Sequence, residues 1–316
     1  MPNFKLTTPV AFIIFNRPDP TQLVFAEIAK AKPPKLLVIA DGARKDKAGD
    51  AKMVAATRSI IKRVDWDCEV ITNFSDVNMG CKARVSSGID WVFEQVEEAI
   101  ILEDDCLPDP TFFRFCQEML DRYRLDLRIG MISGDNFQFG RNRNQDSYYF
   151  SKYVHVWGWA SWRNRWKDTY DVELKKWPLI KDGKWLFDIL GNAKEASEWM
   201  AIFNNTFQRK IDTWDYQWVF ANWIEGRINV MPNVNLVSNI GFNQNATHTV
   251  TLTPLANIAL APMIFPMVHP VGMLRNLQAD KFTFYSCFYI PFYKKVWNKI
   301  QSLPKMFFNK IGRGLL

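Results

Sequence analysis

Histidine is scarce in this sequence: His155, His248 and His269 are its three, set too far apart for metal-ligand spacing. Cysteine is little commoner. Cys68, Cys81, Cys106, Cys116 and Cys287 are odd in number and form no C-x-x-C pair, which leaves a disulfide framework unsupported and fits reduced thiols in a reducing compartment. The chain has no G-x-S-x-G, no P-loop and no G-x-G-x-x-G, so serine hydrolase, P-loop kinase and dinucleotide oxidoreductase readings lack their motifs. Met1-Pro2-Asn3-Phe4-Lys5 runs into an apolar strand pattern without a signal-peptide core, so the expectation is a cytosolic protein.

Charge is absent from Thr249 to Leu274, yet Pro254, Pro262, Pro266 and Pro270 interrupt that stretch. Proline at this density breaks a helix that must satisfy its own backbone in lipid, so the segment reads as an extended strap lying on the protein. Acid is absent from Lys281 to Leu316, which carries seven Lys or Arg and leaves 33 bases against 33 acids in the first 280 residues. A neutral body argues against nucleic-acid binding, whose basic patch belongs on the folded domain.

Strand and helix signals alternate over the first 125 residues. Apolar runs at Pro9–Phe15, Leu36–Ala40, Cys68–Thr72 and Ala99–Leu102 are separated by helical spacing at Asp19–Lys32, Asp50–Arg63, the stretch ending at Gln95, and Asp109–Tyr123. Strands without alternation, divided by helices of this length, predict an α/β fold: a doubly wound, mostly parallel sheet covered on both faces. Met131–Gly134 reads as a further central strand. Residues 1–125 are then one half of a domain, 126–280 the second half of the same domain, and 281–316 a basic amphipathic tail.

Ligands of such sheets bind beyond the carboxyl ends of the strands. There the sequence places Asn16-Arg17-Pro18, Asp41-Gly42 and Glu103-Asp104-Asp105. Three adjacent carboxylates suit Mg²⁺ or Mn²⁺ shared with a diphosphate; the alternative is a charge cluster at a helix start. Asp41 is either a ligand or part of a turn, and Arg17 pairs either with phosphate or with a surface acid. Lys82 and Arg84 follow Asn78-Met79-Gly80 at a helix start, which suits an anion or is plain punctuation.

Tryptophan, at thirteen residues, is in excess. Trp162 and Trp166 have core spacing, whereas Trp157 and Trp159 flank Gly158 and offer indole faces to a sugar ring. In Asp212-Thr213-Trp214-Asp215, Asp212 fits a helix cap and leaves Asp215 as a base for an attacking hydroxyl. His248 reads as a contact to metal or phosphate, or as structural.

Taken in order, Phe15-Asn16-Arg17-Pro18, Ala40-Asp41-Gly42, Leu102-Glu103-Asp104-Asp105 with Pro108 and Phe112-Phe113, Trp157-Gly158-Trp159, Trp214-Asp215, Gly241-Phe242 and Ala246-Thr247-His248 resemble the GT-A glycosyltransferases. The likeness is to family 2-like bacterial sugar transferases and, more distantly, to N-acetylglucosaminyltransferase I, over about residues 8 to 250. The resemblance implies a nucleotide-diphosphate sugar as donor, a UDP-sugar, and a role in polysaccharide biosynthesis. It implies Asp41 on the uracil-type base, Arg17 on the nucleotide, Asp105 on Mn²⁺ or Mg²⁺, Glu103 and Asp104 toward ribose and donor sugar, Asp215 as the base of an inverting transfer, and Gly241 to His248 as a loop over the diphosphate.

Aromatics interleave with bases from Phe282 to Arg313, which fits an interfacial anchor on the inner face of a membrane and a glycan or lipid-linked acceptor. The alternative is a C-terminal helix packed on the domain. Two other functions compete: a nucleotidyltransferase making a sugar nucleotide, which would carry a Gly-rich loop after its first strand, and a non-catalytic glycan-binding protein, for which the carboxylate triplet is superfluous.

Overall fold

The computed structural model describes residues 4–241 and 255–289. The first strands are the apolar runs of the sequence: β1 (Val10–Ile14), β2 (Lys35–Ala40), β3 (Glu69–Phe74) and β4 (Glu98–Glu103). They alternate with α1 (Pro18–Ala31), α2 (Asp50–Ser59) and α3 (Cys81–Gln95). Pro18 opens α1, its ring supplying helical φ where no N–H partner exists, and Lys32 closes it at φ 49. A short β5 (Cys106–Pro108) and α4 (Thr111–Tyr123) complete the first part.

The second part adds β6 (Ile129–Ser133), β7 (Tyr148–Ser151), β8 (Trp159–Trp162), α5 (Arg163–Lys167), α6 (Trp177–Asp182), α7 (Trp185–Leu190), α8 (Ala193–Phe207), α9 (Asp215–Ile224), β9 (Ile228–Pro232), β10 (Val237–Asn239) and α10 (Leu277–Thr283). One eight-stranded sheet runs in the order β3-β2-β1-β4-β8-β6-β9-β7, and β10 pairs with β5 outside it. The first four strands are mutually parallel, and β8 and β7 run against their neighbours.

Alternate side chains of each strand enter opposite cores. Val10, Phe12 and Ile14 meet Val24 and Ile28 of α1 and the phenylalanines of α4. Ala11 and Ile13 meet Val85 and Ile89 of α3 and the tryptophans of α5, α8 and α9. After β3 the chain crosses beyond β1 to lay down β4, so the strand order reverses between β1 and β4. That reversal opens a crevice at their carboxyl ends.

β8 is central in the sheet. Trp-Ala-Ser-Trp has no strand signature, yet it pairs with β4 through Ile100↔Ala160 and with β6 through Ile132↔Ala160. Neighbours on both sides override its weak local preference. Trp159 then points into one core and Trp162 into the other.

The described part of the charge-free stretch, from residue 255, is an extended strap. The Met263 N–H bonds Thr111 Oγ1 at 2.9 Å and the Ser147 N–H bonds the Val268 carbonyl at 2.8 Å. The described root of the tail packs on the domain: Phe284 is buried, and Phe288 lies parallel to Tyr153 with ring centroids 5.2 Å apart. The tail from residue 290 and His248 lie outside the described residues. No described helix is long and apolar enough to cross a membrane.

Candidate active site

The crevice at the β1/β4 reversal is a cleft of about 880 Å³. Phe15 and Arg17 after β1, Asp41 after β2 and the Glu103–Asp105 triplet after β4 line one side; Trp157 and the 210–216 turn line the other. Strand ends position the first group, because a parallel sheet aligns its carboxyl ends on one edge.

Arg17 is the organising cation. Its guanidinium bonds Asp104 through Nη2 and Asp105 Oδ2 through Nη1 at 2.8 Å. The Phe15 N–H holds the other Asp104 oxygen at 3.1 Å. Pairing of β10 with β5 brings Gly241 onto this pair: a Cβ there would lie 2.1 Å from Asp105 Oδ2 and 2.9 Å from Arg17 Nη1, so a side chain at 241 would displace the Arg17–Asp105 pair. Burial pulls the Arg17 pKa down, but the two aspartates outweigh it and the net shift is upward.

Burial and the neighbouring Asp105 and Asp104 push Glu103 up to about 8. Burial likewise pushes Asp104 up, to about 6, against the pull of Arg17. A solvated glutamate titrates near about 4.3. Between that pH and about 8 the folded chain therefore holds a Glu103 proton that the unfolded chain has released. Stability from this group is greatest below the window and falls as pH rises through it. Thermal melts of metal-free protein should show Tm falling by several degrees from about pH 5 to about pH 9, and falling less in Glu103→Gln. Identical pH slopes in the two proteins would contradict this.

The triplet has the chemistry for a hard divalent ion, since its donors are carboxylate oxygens on the cleft wall. Glu103 and Asp105 would hold such an ion, with Arg17 engaging the Oδ2 atom of Asp105 beside it. Among the described residues no three His, Cys, Asp or Glu are already gathered as a metal cage.

Asp41 lines the cleft, but its oxygens are engaged. Oδ1 accepts from the N–H groups of Gly42 at 2.8 Å and Met79 at 2.9 Å; Oδ2 accepts from Gly80 N–H and Asn78 Nδ2, each at 3.0 Å. It clamps the loop before α3 from its place on the cleft wall. Gly42 has no room for a side chain, since a Cβ would lie 2.4 Å from the Val77 backbone.

The two bases near the start of α3 are also occupied. Arg84 is buried and bonds the Ala40 carbonyl at 3.2 Å and Asn73 Oδ1 at 2.8 Å, tying strand ends together. Lys82 pairs with Glu173 at 3.5 Å, outside the main cleft. Arg84 lines the main cleft and Lys82 the neighbouring cavity, so the two do not share one pocket.

Trp157 lines the cleft, whereas Trp159 is 1% exposed and packs among Trp166, Trp214 and Trp218, its ring centroid 5.9–6.0 Å from each of theirs. Trp159 is core, not a sugar platform. Gly158 sits at φ 67, and the close approach it permits is by protein: a Cβ would lie 2.6 Å from Val237. Trp157 is held from behind, its N–H bonding Asp135 Oδ2 at 3.3 Å, while Asp135 Oδ1 bonds His155 Nδ1 at 2.8 Å in full burial.

Asp212 is not a helix cap. α9 begins at Asp215, whose Oδ1 accepts from the Tyr216 N–H at 2.9 Å and from the Thr213 hydroxyl. Asp212 and Asp215 both line the cleft. Sequence reasoning missed Cys81 as a cleft residue. Cys81 stands where α3 begins, and burial together with Glu103, Asp215, Asp212 and Asp105 raises its thiol pKa. Nothing in its local sequence signals that position.

No family model matches this sequence, and no curated protein matches it. Among solved structures, a UDP-glucose pyrophosphorylase complexed with UDP-glucose is similar at a TM-score of 0.25 and 11% identity, over 46% of this chain and 62% of that one. The chain thus spans about three fifths of that structure. A likeness of that size assigns neither fold nor activity.

Proposed function

We propose that this chain is a glycosyltransferase that moves a sugar from a nucleotide-diphosphate sugar, a UDP-sugar, to a glycan or lipid-linked acceptor. The observation that carries this is the acidic rim joined to Arg17 inside a large cleft at the strand-order reversal. Nucleotides bind at such reversals, and their diphosphates need a cationic partner.

In this reading Glu103 and Asp105 hold Mn²⁺ or Mg²⁺, which when bound offsets charge growing on the departing diphosphate. Arg17 supplies a second positive charge, already fixed in place by Asp104. A carboxylate of the 212–215 turn, Asp215 in the resemblance, accepts the acceptor's hydroxyl proton. Attack from the face opposite the leaving group inverts the anomeric centre. Trp157 offers an apolar wall to the sugar.

Calorimetric titration with UDP tests the reading. Binding is expected in Mn²⁺, weakened at least ~10-fold by chelation or by Asp105→Asn. UDP binding that ignores both changes would favour a different site.

A further inference from the structure

A second cavity of about 470 Å³ adjoins the cleft. Lys82, Ser86 and Ser87 of α3 line one wall and Glu173 and Arg209 the other. Ile211 and Asp212 line both cavities, so Asp212 is the one carboxylate shared between them among the described residues. Its Oδ2 lies 3.7 Å from where a Cβ on Gly80 would stand, across the entrance to α3.

The walls alternate cations and carboxylates. Glu173 bonds Arg209 at 2.8 Å and Lys82 at 3.5 Å, and Asp90 stands further along the same helix. An anion or a cation would meet like charge there. A sugar would not, because each hydroxyl both donates and accepts.

Arg209 adds an independent sign. It follows the C-terminus of α8 at φ 57, with its N–H on the Thr206 carbonyl at 3.0 Å and that of Lys210 on the Asn205 carbonyl at 2.8 Å. This left-handed position favours glycine, yet an arginine holds it and turns toward Glu173.

We infer that the second cavity binds a neutral saccharide acceptor and that Asp212, between the two cavities, takes the proton of its attacking hydroxyl. The inference rests on the donor reading of the main cleft. The acceptor O–H proton passes to the Asp212 carboxylate, the oxygen bonds the anomeric carbon, and the carbon–oxygen bond to the diphosphate breaks with its electron pair leaving on the diphosphate. Asp215, with one oxygen engaged at the start of α9, is then a positioning residue.

Saturation-transfer NMR of the full chain with a panel of p-nitrophenyl glycosides at millimolar concentration, in UDP and Mn²⁺, tests the cavity. Wild type should contact at least one sugar. Ala83→Trp, which fills the cavity from an exposed helix position, should lose that contact and keep its UDP affinity. Arg209→Gly should raise Tm while weakening the same contact, an outcome that misfolding cannot produce. Sugar contact equal in all three proteins, or absent from wild type, overturns the proposal. Absence of UDP binding instead overturns the donor reading, and the sugar arm still decides the cavity. For the base, Asp212→Asn should lose at least ~100-fold of sugar-stimulated UDP release from a panel of UDP-sugars while Asp215→Asn loses less. The reverse order, or sugar that binds without ever stimulating release, counts against Asp212.

Discussion

Arg17→Ala is expected to weaken UDP binding at least ~10-fold and to destabilise the fold by about 3 kcal/mol. The reason is the company Arg17 keeps. Asp104 is nearly buried, with 4% of its side chain exposed, and Arg17 is the cation beside it at 22%. Removing the guanidinium leaves two carboxylates in low dielectric beside Glu103, which burial already pushes toward the protonated form. Part of the loss is uncompensated charge, and Arg17→Ala combined with Asp104→Asn should recover part of the stability but none of the UDP affinity. Melting and calorimetry on the two variants separate the terms. A single variant that melts like wild type and binds UDP normally would show that Arg17 is a surface partner of the triplet and nothing more.

Trp159→Ala is expected to cost about 3–5 kcal/mol of stability, the range for emptying a buried tryptophan site, while UDP affinity changes little. Trp159 bridges β8 to the aromatic core of α5 and α9, and the void it leaves is lined by rings that cannot collapse far. Trp157→Ala should do the opposite, since its side chain is at the cleft and its backbone is what Asp135 holds. Melting temperature and ligand affinity measured on both variants decide the matter. Unchanged Tm with lost ligand affinity in Trp159→Ala would restore it as a sugar platform.

The parallel part of the sheet was legible because strands covered on both faces must be apolar throughout, as Val10–Ile14 and Leu36–Ala40 are. The rim was legible for the same reason: polar residues directly after such runs have to lie at the strand ends. What the sequence concealed were states set by distant chain. The partners of Asp41 were hidden because three of its four donors come from residues 78–80, which return to it only through that loop. The bonds of Arg84 to Ala40 and Asn73, at the ends of β2 and β3, were hidden in the same way. Trp157 and Trp159 are two residues apart with the same neighbour, yet one borders the cleft and the other is core. Strand alternation would place both on one face, and only the turn at Gly158 separates them.

The central claim is that the Glu103–Asp105 rim and Arg17 together receive a metal-bound nucleoside diphosphate. Anomalous diffraction from a crystal soaked with Mn²⁺ and UDP tests it most directly. The account predicts a manganese peak against Asp105 with the diphosphate beside Arg17. A rim without manganese, Asp104 and Asp105 still bonded to Arg17 while UDP binds elsewhere or not at all, would contradict it.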